Sequence, residues 1–147
     1  MADLRSLALA ADFLPLATLG GEELAAILHL PYRQMEHANA LVVLDAAGVS
    51  VAPPAYRRDA GAGEAAGHAP MSAADLSAFS ENIPFTAALE HGSAVGQPYG
   101  RDSPRLAVGV RLSGEPPRVL AAELSLAAIE HRIAATLLAD DAAHVLD

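Results

Sequence analysis

Apolar and polar positions change period several times along the chain, and each change predicts an element. From Asp3 to Leu19 apolar residues dominate and predict helix, which Pro15 either limits to about three turns or kinks, and which Gly20-Gly21 ends. Glu22 and Glu23 put negative charge at the positive end of a second helix, with Leu24, Ile27, Leu28, Tyr32 and Met35 at helical spacing. Pro31 predicts a kink or a split there. Leu41 to Asp45 then predicts a strand buried on both faces, Ala46-Ala47-Gly48 a turn, and Val49 to Ala52 the returning arm of a hairpin. Pro53-Pro54 ends that arm, and the Gly- and Ala-rich run from Ala55 to Ala69 predicts a loop. Ser72 is placed to N-cap a short helix, with Asp75 at its third position as a variant capping box. A second short helix has Ser80 or Asn82 as its cap, Pro84 in its first turn, an apolar face of Phe85, Ala88 and Leu89, and an end at Gly92. Three strands follow, Ala94 to Tyr99, Leu106 to Leu112 and Arg118 to Leu126, with connections around Gly100 to Pro104 and at Ser113 to Pro117 that suit hairpins. A last helix, Ala127 to Ala139, carries Ile129, Ile133 and Leu137 at helical spacing and leads to an acidic tail.

This order predicts an α+β domain spanning residues 1–147, with N-terminal helices in 1–40, a sheet with its insertion in 41–126, and a C-terminal helix and tail in 127–147. Its centre is a five-stranded antiparallel sheet covered on one face by the N-terminal helices and on the other by the insertion 53–92. The stretch from Asp75 to Tyr99 holds the densest turn, cap and aromatic signals, and one cavity is expected between sheet and insertion.

Composition narrows the picture. With 52% hydrophobic but only 4% aromatic residues, the core is built from aliphatic side chains. A net charge of −9 opposes nucleic-acid binding, which needs clustered cations to displace counterions. Absence of cysteine removes disulfides, thiolate metal sites and thiol nucleophiles. All nine basic residues are arginine, which fits the coding bias of a GC-rich genome before any demand for bidentate geometry. No apolar run is long enough to span a membrane, and the start Met1-Ala-Asp suits either a complete cytosolic protein or a soluble piece of a longer one.

No arrangement for catalysis stands out: there is no GxSxG, P-loop, HExxH or dinucleotide fingerprint, and the chain is read as a non-enzyme without cofactor. His29, Arg33 and His37 recur at four-residue spacing, which reads as a solvated helix face rather than a metal site. Glu36-His37 and Glu130-His131 are adjacent pairs whose side chains point apart. The binding chemistry lies elsewhere. Arg57, Arg58 and Arg101 fall in or beside the insertion with Tyr56, His68 and Tyr99, a set able to hold a carboxylate by charge-assisted hydrogen bonds. Arg111 shares a strand face with the small Ala107 and Gly109, and reads either as lining a pocket or as an exposed strand arginine.

Five segments in order, LVVLDAAG, DLSAFSENIPFTAAL, GQPYG, LAVGVRL and RVLAAELSL, resemble the Cache family of extracytoplasmic, PAS-like sensor domains. The resemblance covers nearly the whole chain. It implies a ligand-binding domain that signals through its terminal helices, placed in the periplasm as part of an inner-membrane receptor. A chemoreceptor is the first expectation, with a histidine kinase or nucleotide cyclase as alternatives. Where amino-acid-binding members carry an arginine and two aromatics, this chain has Asn82, Pro84 and Phe85, and Ser77 stands for a further aromatic. Tyr99 matches a later pocket aromatic and Glu123 the acid on the last strand. The missing arginine and rings argue against an α-amino acid and leave a small organic acid, acetate-like up to a short dicarboxylate. For a four-atom anion the ceiling of about −1.5 kcal/mol per atom gives a dissociation constant of tens of micromolar, suited to fast exchange. The apolar excess of Leu4 to Leu19 and the signalling of relatives as dimers predict a weak homodimer through the N-terminal helices. The hairpin ALVVLDAAGVSVA also resembles that of roadblock/longin-like cytosolic interaction scaffolds, which leave the 53–69 loop and AELSL unexplained.

Overall fold

The structure is a computed structural model and describes residues 16, 18–35, 37–57, 71–100 and 104–126. The N-terminal helix expected before Leu19 lies almost wholly outside these residues, and the C-terminal helix expected from Ala127 wholly so. The described chain is α+β: three helices and a five-stranded antiparallel sheet in the order β2-β1-β5-β4-β3.

Helix α1, Gly21–Gln34, carries Glu22 and Glu23 in its first turn and Arg33 in its last, matching charge to the helix dipole at both ends. Its buried stripe is Leu24, Leu28, Pro31 and Tyr32. The split expected at Pro31 does not occur. The helix runs on to Gln34, and the Pro31 carbonyl accepts from Met35 N–H at 3.1 Å. Burial of the ring offsets the lost amide donor, and with one turn remaining few bonds are at stake.

Strand β1, Ala38–Leu44, is buried along its whole length and starts three residues earlier than the hydrophobic run alone suggests. Its turn is held by the Asp45 carboxylate, which accepts from the amides of Ala47 and Val49 at 2.9 and 3.0 Å. Gly48 has φ +84°, a value few side chains tolerate. The return arm differs from expectation. Instead of a strand from Val49 to Ala52 there is one bridge, Leu44 to Ser50, and a bond from Val51 N–H to the Val43 carbonyl. Pro53 and Pro54 have no amide donors, so the ladder resumes only at β2, Ala55–Tyr56, two residues that had been expected to be loop.

Helix α2, Ala73–Asn82, has the expected capping box: Asp75 N–H donates to Ser72 Oγ and Ser72 N–H to Asp75 Oδ2. Helix α3, Phe85–His91, has Pro84 at its N-cap and ends at Gly92. Neither Ser80 nor Asn82 caps it. Both lie inside α2, where Asn82 Nδ2 donates to the Ala78 carbonyl one turn back, the local bond such a side chain makes when the helix does not end before it. Strand β3 is shorter than expected, Ser93–Val95, because Gly96 and Pro98 interrupt it, and Tyr99 returns as an isolated bridge to Arg105. Strands β4, Arg105–Leu112, and β5, Arg118–Ser125, pair over eight positions.

Period-two alternation sends alternate residues to opposite faces. On one face Leu41, Val43, Leu106, Val108, Leu120 and Leu124 pack against Leu24, Leu28, Tyr32 and Met35. On the other Ala40, Val42, Leu44, Ala107 and Ala121 pack under Met71 and Phe79. Gly109 belongs to this second face. A Cβ there would stand 3.2 Å from both Ala88 Cβ and Val119 Cγ1, so its absence lets α3 lie directly on the sheet.

Candidate functional site

The insertion-facing side of the sheet carries an internal polar cluster. A register shift between Ala38 and Ala40 makes Asn39 the extra residue of a bulge, and its amide donates to Glu123 Oε1 at 2.9 Å. Glu123, near the end of the central strand β5, is 0% exposed. Its other oxygen, Oε2, accepts from the Tyr99 hydroxyl. Arg105, on β4, brings Nη1 to 3.6 Å from Glu123 Oε1 and 3.4 Å from Asp75 Oδ1. Its guanidinium carbon lies 5.2 Å from the centre of the Tyr99 ring, a cation–π distance. One guanidinium thus joins the central strand to the cap of α2.

Burial, and then the bond to Glu123, push the Tyr99 hydroxyl well above its usual 10.0, so it remains a donor. The Ser72 backbone amide holds the Asp75 carboxyl below its usual 3.8 against the cost of burial, helped by the Ser72 hydroxyl and Arg105. One group is left over: the buried Nε–H of Arg105 has no acceptor among the described residues. Unmet donors of this kind are rare inside proteins and fit an added acceptor.

On the same face of the sheet lies a hollow of about 210 Å³ between β1 and α2. Val42, Leu44 and Phe79 form its buried floor, with Leu76 and Ile83 at its side. This is where the expected cavity between sheet and insertion falls.

The residues singled out from the sequence separate. Tyr99 and Glu123 meet directly in the cluster. Tyr56 and Phe85 pack half-buried on the same apolar layer, the Phe85 ring against Gly48. Arg57 follows β2, and its carbonyl accepts from Met71 N–H at 2.8 Å, closing the base of the insertion. Asn82 is spent on its own helix. Arg111 does not reach the hollow: it is exposed, donates to the Leu89 carbonyl at 2.7 Å, and borders a separate open depression with Gly92 and Glu115. Of the two readings of this residue, the exposed strand arginine is the one observed. Arg58, His68 and Arg101 lie outside the described residues. His29, Arg33 and His37 do not share a helix face, since α1 ends at Gln34. Among the described residues no group of three or more acidic, histidine or cysteine side chains is arranged to hold a metal ion.

Sequence reasoning missed Arg105 and Asn39 and read Asp75 only as a cap. Arg105 carried a signal, since it is two and four residues from Ala107 and Gly109 and so shares their face. Asn39, a polar residue entering an apolar strand, carried a weaker one.

No family model, curated protein or solved structure matches the chain. Among the described residues no helix is long and apolar enough to cross a membrane.

Proposed function

We propose that this chain is the ligand-binding sensor domain of a transmembrane signalling receptor of the Cache, PAS-like type, a chemoreceptor before a histidine kinase or nucleotide cyclase. The ligand is a small organic acid taken up between sheet and insertion. The observation that carries the reading is the hollow of about 210 Å³ at that boundary, on the sheet face that also carries a guanidinium with a spare buried N–H. The layout supports it: α1 covers one face of an antiparallel five-stranded sheet and two short inserted helices cover the other, as the resemblance implies. A carboxylate accepting from Arg105 Nε would gain a charge-assisted bond without displacing Glu123. Because Arg105 also holds Asp75, an anion there pulls on the α2 cap and on the central strand together, which is how binding would be passed out of the pocket.

Calorimetry of the chain with a panel of short mono- and dicarboxylates tests the reading. Saturable heat with a dissociation constant between about ten micromolar and one millimolar is expected for the preferred acid. It should vanish in Arg105→Lys, which keeps the charge but not the fork. No heat with any acid at millimolar concentration would remove the proposal.

A further inference from the structure

We infer that the ligand carries an uncharged hydrocarbon arm, alkyl or aryl, of about eight carbon atoms, and that this arm occupies the hollow between β1 and α2; the inference rests on the organic-acid reading above. The reasons lie in the lining. Its floor, Val42, Leu44 and Phe79, is buried and wholly apolar. Leu76, Ile83 and Pro54 form half-buried sides, and polar atoms come only at the exposed rim, at Gly48, Ser50 and Ser80. No ionisable side chain lines it among the described residues. The Ser50 hydroxyl is already committed, donating to the Ala52 carbonyl at 2.6 Å.

A carboxylate carried to this floor sheds its water and meets no donor in return, whereas an alkyl or aryl group sheds only unfavourable hydration. Size points the same way. An apolar cavity of about 150 Å³ in another protein stays dry and takes a benzene ring, so by proportion one of 210 Å³ takes about eight carbons. Acetate would leave most of it empty. The charged cluster is on the same face: Val42 pairs with Ala121, two residues along β5 from Glu123, and Arg105 lies beyond it on β4, opposite Ser125. Head and arm of one molecule therefore have separate chemistries to meet on one face of the sheet, and the hollow sets chain-length preference where the cluster sets charge.

The test is a calorimetric series on the full chain with acetate, butanoate, hexanoate, octanoate and decanoate, and with 1-hexanol as the uncharged counterpart, read together with the methyl resonances of Val42, Leu44 and Ile83. Affinity is expected to rise about fourfold per methylene up to about eight carbons and then level off, with those methyls shifting. In Ser80→Phe, a change at an exposed rim position that tolerates a ring, the rise should flatten. Hexanol moving the same methyls supports the arm even where no acid binds, and in that case the acid reading alone fails. Equal affinity for every acid with the methyls unmoved overturns the arm and leaves the acid reading standing. Silence from every probe overturns both, and a rise that survives intact in Ser80→Phe overturns the placement of the arm.

Discussion

On the face covered by α1, the three long strands present Leu41, Val43, Leu106, Val108, Leu120 and Leu124; on the face covered by the insertion, the same strands present Ala40, Val42, Ala107, Gly109, Ala121 and Glu123. One backbone thus carries two different layers. The first fills its space with branched aliphatic chains whose burial supplies stability. The second is built largely from small residues, Ala40, Ala107, Ala121 and Gly109, and the room so gained holds two short helices, a charged network and a hollow. Small residues in a core are usually read as poor packing. Here they are what brings a binding layer close to the sheet.

The comparison can be broken in four ways. Arg105→Met should cost most, about 3–5 kcal/mol in urea unfolding, because it leaves the buried Glu123 carboxyl without its cation. Adding Glu123→Gln, which removes the charge but keeps an oxygen for Asn39 and an amide group beside the Tyr99 hydroxyl, should recover much of that loss; an undiminished loss in the double variant would mean that Arg105 does not act through the charge of Glu123. Next, Leu120→Ala on the filled face should cost about 2–5 kcal/mol, whereas Val42→Ala at the hollow should cost only about 1–2, since two methyl groups leave a space that is already open. Equal costs would erase the distinction between the faces.

Tyr99→Phe should cost about 1.5–3 kcal/mol, the worth of a bond to a charged acceptor. The sign of its pH dependence follows from the raised hydroxyl. The stability it contributes is complete below the ordinary 10.0 and is lost above it, where the unfolded chain ionises and the folded one resists. The gap in stability between parent and variant, followed by circular dichroism, should therefore be constant below about 10 and narrow as the pH rises beyond it. The smallest effect is expected from Asp75→Asn. Since the folded carboxyl is held below 3.8, its contribution is present above that value and disappears as pH falls through the folded value. The difference between parent and variant melting temperatures should therefore be constant near neutrality and close to zero in strong acid.

Much of the scaffold was legible because it is local. The alternation in LAVGVRL and LAAELS predicts β4 and β5 to within a residue or two, and Ser72 with Asp75 predicts the start of α2, since each signal spans only a few positions. The α+β class and the antiparallel sheet followed from their order. What stayed hidden is set by distant partners. The Asp75–Arg105 pair spans 30 residues and the Asn39–Glu123 bond 84, and no window of sequence contains both ends. The bulge that turns Asn39 onto the insertion face depends on a register fixed by β5, not on anything in ANALVVL. The hollow is likewise assembled from β1, the return arm and α2, so its lining could be expected as a place but not as a set of side chains.

The strand order carries a mechanical consequence. With β1 and β5 adjacent and antiparallel at the centre of the sheet, the chain comes into β1 and leaves β5 at the same end, where Ser125 N–H still donates to the His37 carbonyl at 3.0 Å. Tension applied across that end loads the ladder one rung at a time, as a zip is opened, rather than shearing all its bonds together. The sheet is therefore weakest to force at the very point where its two central strands meet the rest of the chain, and the first rungs to yield, Ala38 with Leu124 and Ala40 with Glu123, are those beside the buried carboxylate.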